Sequence, residues 1–157
     1  MLRRRQFIPL AAGLPFAVVH AAEKKSYTFG VVAKSNNNAV FQVARVGAQD
    51  GARELGAKHG LSLKIDWRTP NEEDPQKQAE AIEQLVLAGV DGIAVSCSDA
   101  NKLTPAIDAA VKNGVPVATF DSDAPASQRF VTYGVDDEKC GEQVMAELAR
   151  ILGGNGV

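Results

Sequence analysis

Short apolar runs alternate with longer amphipathic segments from residue 27 onward. Tyr27 to Ala33 is dense in Phe29, Val31 and Val32 and predicts a strand. Residues 40–58 repeat apolar or small positions three and four apart (Val40, Val43, Ala44, Gly47, Ala48, Gly51, Ala52 and Leu55), which predicts a helix with that stripe facing inward and Gly60 as its stop. Leu61 to Trp67 predicts a second strand. Asp74 then Pro75 is a helix start, a side-chain acceptor followed by a residue that needs no backbone donor. Ala79, Ile82, Leu85, Val86 and Gly89 line the predicted inner side of that helix. Val90 to Ser96 is the third predicted strand. A third helix follows, capped by Asp99 or Asn101, with Pro105 tolerable if it lies in the first turn and Leu103, Ile107, Ala110 and Val111 inward. Val115 to Phe120 and Arg129 to Val135 predict two more strands, and Asp136 or Asp137 starts a last helix bearing Val144, Met145, Leu148, Ile151 and Leu152.

Strands and helices joined by connections of a few residues specify an α/β, doubly wound, mostly parallel sheet. In such sheets ligands bind outside the carboxyl ends of the strands. Lys34 to Asn38, Arg68 to Thr69, Cys97 to Asp99 and Asp121 to Asp123 should therefore converge. The last helix has no further strand to cover before Val157, so the sequence is expected to be a truncated one.

The amino terminus follows other rules. Arg3, Arg4 and Arg5 precede an apolar run through Val19 that closes on His20, Ala21 and Ala22, the parts of an export signal peptide over 1–22. The arginines ahead of Phe7 and Ile8 resemble a twin-arginine signal. Removing this leader leaves 14 Lys+Arg against 19 Asp+Glu, a net charge of −5. No basic block remains for a phosphate-backbone partner, so no nucleic acid is expected, and the expected location is the periplasm. Cys97 and Cys140 read as separate structural thiols, and His59 as a surface residue at a helix end. A histidine-based metal or acid–base centre is poorly supported, and no cofactor is expected.

The remaining candidates are polar. Lys34, Ser35, Asn36, Asn37 and Asn38 offer amides, a hydroxyl and an ammonium to a neutral polyhydroxy ligand, or form an ordinary Asn-rich turn. Phe41 is either an aromatic wall for that ligand or a core residue. Asp121, at the carboxyl end of the fourth strand with Ser122 and Asp123 beside it, can accept two hydroxyl hydrogen bonds. Asp123 alternatively organises the turn before Pro125, and Arg129 either pairs with Asp123 or faces the ligand. Ser35 and Ser122 have no visible His–acid partner for nucleophilic hydrolysis. Trp67 is a sugar-stacking plate or simple packing. Glu72, Glu73 and Asp74 suit the start of the second helix without a metal.

Several segments together resemble the type I periplasmic binding proteins for sugars, the ribose-binding group related in fold to the lactose-repressor effector domain. They are the Asn-rich loop before Phe41, Gly89-Val90-Asp91-Gly92-Ile93, Gly114-Val115-Pro116-Val117, Thr119 through Pro125, and Tyr133-Gly134-Val135-Asp136-Asp137. The resemblance implies two lobes closing on a monosaccharide or similar polyol, delivered to a membrane ABC permease without chemistry. It implies that 26–135 is the first lobe, that 136–157 is a hinge and the incomplete start of the second, and that the C-terminal lobe is missing. It places Asn37 among the first-loop contacts, Phe41 among the ring-clamping aromatics, and Asp121 as the carboxylate gripping hydroxyls. Ser122 stands where ribose receptors commonly carry arginine, and Val40 where they carry the first of two phenylalanines, so ribose itself is not implied. Competing readings are a sugar- or nucleoside-processing α/β enzyme, a DNA-bound regulator, and a receptor for a membrane signalling sensor.

Overall fold

Five strands form one sheet in the order β2-β1-β3-β4-β5, every neighbouring pair parallel. They are β1 (Ser26–Val32), β2 (Ser62–Trp67), β3 (Gly92–Val95), β4 (Val117–Phe120) and β5 (Val131–Tyr133). Helices α1 (Ala39–His59), α2 (Pro75–Leu87), α3 (Ala100–Lys112) and α4 (Asp137–Ile151) alternate with them. This computed structural model describes residues 24–153, so the export signal expected over 1–22 lies outside the described residues. The doubly wound reading is the observed topology, and β3 and β4 are each shorter than the runs that announce them.

Parallel strands buried on both faces need helices on both. Alternation along β1 and β3 sends Val32, Ile93 and Val95 to one side, where Ile82 and Leu85 of α2 and Leu103 and Ile107 of α3 complete the main core. Packing there is close. A β-carbon on Gly30 would sit 2.6 Å from Leu85 Cδ1, so only glycine lets α2 settle on β1 at that point. The capping expectations hold: Asp74 accepts from the Gln76 and Lys77 backbone N–H groups, and Asp99 from that of Lys102.

Helix α1 covers the other face and corrects the stripe read from spacing. Val40, Val43 and Leu55 are 66%, 72% and 52% exposed. The helix instead turns Phe41, Ala44, Ala48, Ala52 and Gly56 inward. Small side chains win because the helix end lies against the following backbone: a β-carbon on Gly56 would sit 2.8 Å from the Leu61 carbonyl oxygen. Gly89 is exposed past the end of α2, whose buried stripe is Gln78, Ala81, Ile82 and Leu85. Pro105 lies in the second turn of α3, not the first; it is exposed there, where water can hydrate the carbonyl its missing N–H leaves free.

Two apolar surfaces are left uncovered. Beside α1, Phe29, Val31, Ile65, Ala94, Ala118 and Phe130 line a trough of about 430 Å³. No residue of α4 is buried, and Val144, Met145 and Ile151 are each more than 60% exposed. No described helix is long and apolar enough to cross a membrane.

Candidate functional site

The chain reverses its direction of travel across the sheet between β1 and β3, which are adjacent although β2 separates them in sequence. The loop after β1 leads to a helix on one face and the loop after β3 to a helix on the other. Their divergence opens a crevice at the carboxyl edge, the place where open α/β sheets hold ligands. The loops after β1, β2, β3 and β4 meet here, as their order in the sequence requires.

Asp121 is the first residue past β4 on this edge. Its φ is 60°, and it is the one non-glycine residue with positive φ among those described. The Ser122 N–H donates back to the Phe120 carbonyl at 2.7 Å, closing a three-residue turn around it. Such backbone conformations are costly outside glycine, and Asp and Asn tolerate the left-handed region best. Ser96 Oγ donates to Asp121 Oδ2 at 2.8 Å, Lys34 Nζ lies 3.3 Å from the same oxygen, and Ser122 Oγ donates to it at 3.3 Å. None of these bonds goes to Oδ1, and the side chain is 48% exposed. Burial pushes the Asp121 carboxyl pKa up, but the hydrogen bonds from Ser96 and Lys34, the Lys34 charge and Ser122 together hold it below the usual carboxylate range. Asp121 is thus a fixed, ionised acceptor with one oxygen uncommitted by these neighbours. A recess of about 370 Å³ runs from it along Phe120, Ser122, Tyr133, Gly134 and Val135.

Asp123 sits two residues on and is used differently. Arg129 donates to both of its oxygens, at 2.5 and 2.6 Å, while Thr119 Oγ1 and the Ala124 N–H donate at 2.6 and 2.7 Å. The turn-organising alternative describes this geometry. The Arg129 bonds, opposed by burial and reinforced by Thr119, Thr132 and the Ala124 N–H, hold its pKa far below the usual range. A depressed folded-state pKa contributes stability that is complete above the ordinary carboxylate range and lost as pH falls through the lower folded value. Asp123→Asn should therefore cost about 2 kcal/mol at neutral pH. That cost should shrink steadily on acidification below about pH 4. Urea unfolding of both chains across that range reads it out.

The first loop is held from beneath. Ala33 N–H donates to Thr69 Oγ1 at 2.8 Å, Asn36 Nδ2 to the Thr69 carbonyl at 2.7 Å, and Trp67 Nε1 to Asn36 Oδ1 at 3.0 Å. Trp67 thus braces this loop. Asn37 is exposed and its amide contacts Glu72. Asn38 caps α1, accepting from the Val40 N–H at 3.0 Å. Ser35 is half-buried in the same loop, and Phe41 is only 4% exposed, a packed residue in this lobe. Ser122 joins the loops through its carbonyl, which accepts from the Cys97 N–H at 2.9 Å.

Cys97 and Cys140 are both free thiols, one buried and one exposed. Burial first, and the Asp123 charge second, push the Cys97 thiol up to about 11, which keeps it protonated and unreactive. Among the described residues no group of three or more His, Cys, Asp or Glu side chains is arranged to hold a metal ion.

Ser35, Asn37, Asn38, Asp121, Ser122 and Asp123 all lie on the loops of this one edge, with Phe41 just inside α1. The structure adds Lys34 and Ser96 as direct partners of Asp121. Ser96 was legible only as the last residue of a strand beside the predicted crevice.

Residues 29–157 match the family of the periplasmic binding protein domain. The chain belongs to the periplasmic binding protein family. This periplasmic binding domain is 28% identical, over 134 residues, to the ribose import binding protein of Bacillus subtilis, covering 85% of this chain and 42% of that protein. A solute binding protein from Burkholderia graminis, solved in complex with D-arabinose, superposes with a TM-score of 0.73 at 28% identity, covering 83% of this chain and 43% of the other. A glucose-galactose binding protein from Geobacillus stearothermophilus gives 0.70 at 27% identity, covering 83% and 45%. The chain spans less than half the length of each.

Proposed function

We propose that this domain is one wall of an extracytoplasmic receptor that binds a monosaccharide or related polyol and delivers it to an ABC permease, without catalysis and without a cofactor. The observation that carries this reading is Asp121, an ionised acceptor held in a strained backbone turn at the crevice, with a Lys34 ammonium beside it. A carboxylate grips vicinal hydroxyls, and the ammonium donates to a hydroxyl oxygen. Family membership and the sugars named for its relatives support the ligand class. Ser35, Asn37 and Asn38 supply further polar contacts in this reading, Ser122 sits beside the carboxylate, and Asp123 shapes the turn. Phe41 is packed just inside α1, next to this edge.

On this reading residues 26–135 form the first lobe and residues 136–157 lead through a hinge into a second, which supplies the opposite wall and covers the apolar face of α4. Binding energy that depends on contacts to both walls favours the closed state, the form a permease distinguishes from the empty one. Calorimetry tests the proposal, with the two-lobed protein titrated against a panel of pentoses, hexoses and sugar alcohols. Saturable binding with unaltered sugar recovered supports it. Submicromolar binding by residues 23–157 alone, or conversion of the sugar, overturns it.

A further inference from the structure

Gln78 stands on the buried stripe of α2 otherwise made of Ala81, Ile82 and Leu85, and it is 0% exposed. A primary amide buried in such company is costly unless its hydrogen bonds are made. Here they are. Nε2 donates to the Ala33 carbonyl at 2.9 Å and to the Ser96 carbonyl at 2.8 Å. Oε1 accepts from the Ser98 N–H at 3.0 Å and from the Ser98 hydroxyl.

These partners are not scattered. Ala33 and Ser96 are the first residues past the ends of β1 and β3, the neighbouring strands that flank the crevice. Ala33 leads directly to Lys34, and Ser96 carries the hydroxyl that donates to Asp121. One amide nitrogen therefore holds the backbone of both groups that reach Asp121 Oδ2 from the other strands. A hydrophobic side chain of equal volume would satisfy the core and strand two carbonyls and one N–H at the crevice floor.

We propose that Gln78 is a positioning residue for the ligand-facing carboxylate: it fixes Lys34 and Ser96 so that they bind Asp121 Oδ2 and leave Oδ1 for a ligand. The proposal rests on the reading of Asp121 as a ligand group. Gln78 touches no ligand itself; it acts through the two strand ends.

Its test is a carboxyl-carbon NMR titration of this chain and its Gln78→Met form. The Asp121 midpoint should rise toward the ordinary carboxylate range. Asp123, whose partners Arg129, Thr119 and Ala124 do not involve Gln78, should keep its midpoint. A folded Gln78→Met chain with Asp121 unmoved overturns the proposal, because a merely structural glutamine would not be felt there. The unsubstituted chain gives a second reading that requires no variant to fold. The Gln78 side-chain amide nitrogen should follow the Asp121 midpoint through Ser96, and a flat response overturns the coupling. Neither readout uses a ligand, so failure here is separate from failure of the sugar titration.

Discussion

Asp121→Asn in the proposed two-lobed receptor should lower its monosaccharide affinity about 2- to 30-fold while leaving the fold intact. Asparagine keeps the shape and, with aspartate, tolerates the positive φ that this position requires. What it removes is charge. Hydrogen bonds to a charged group are worth about 1.5–3 kcal/mol, against about 1 for neutral ones. The variant also turns one acceptor oxygen into a donor facing Lys34 or a ligand hydroxyl. Calorimetry reports the affinity and circular dichroism the fold. Asp121→Gly makes the complementary point, since it relieves the strained turn while abolishing the carboxylate. A chain that unfolds no more easily yet no longer binds would separate the two roles of this position.

Leu85→Ala destabilises the lobe by about 2–5 kcal/mol, the range for deleting a fully buried leucine from a core that cannot collapse around the gap. Leu85 is 0% exposed and lies directly on the β1 backbone at Gly30, so the space it vacates borders a strand held on both edges. A strand paired to β2 and β3 cannot move to fill it. Urea unfolding should show a lower midpoint with an unchanged denaturant slope. A loss below about 1 kcal/mol would mean that α2 can close onto β1 despite those pairings.

The alternation of apolar runs was enough to read the doubly wound sheet, because buried parallel strands and their covering helices leave separate periods in the chain. The start signal was equally plain at Asp74, whereas at the third helix the structure chooses Asp99 over Asn101. The face of α1 was not legible. Valines at 40 and 43 match a buried stripe by spacing, but the close approach of Gly56 to the Leu61 carbonyl selects the small-residue face instead. That approach is a tertiary fact with no local signature. The site divides in the same way. Asp121 could be singled out as a candidate because a predicted strand end and a carboxylate coincide in the sequence. Lys34 and Ser96 become its partners only once β1, β3 and β4 lie side by side. Gln78 did leave a trace, a lone amide one turn before Ile82 on an apolar stripe. Its meaning depended on knowing which carbonyls it reaches.

In the proposed receptor Asp121 faces a sugar across the crevice. A crystal structure of the two-lobed protein with a bound monosaccharide tests it most directly. A sugar hydroxyl should lie about 3 Å from Asp121 Oδ1. Lys34, Ser96 and Ser122 should still hold Oδ2 in that complex. A sugar seated elsewhere, with Asp121 met only by those three residues, would contradict it.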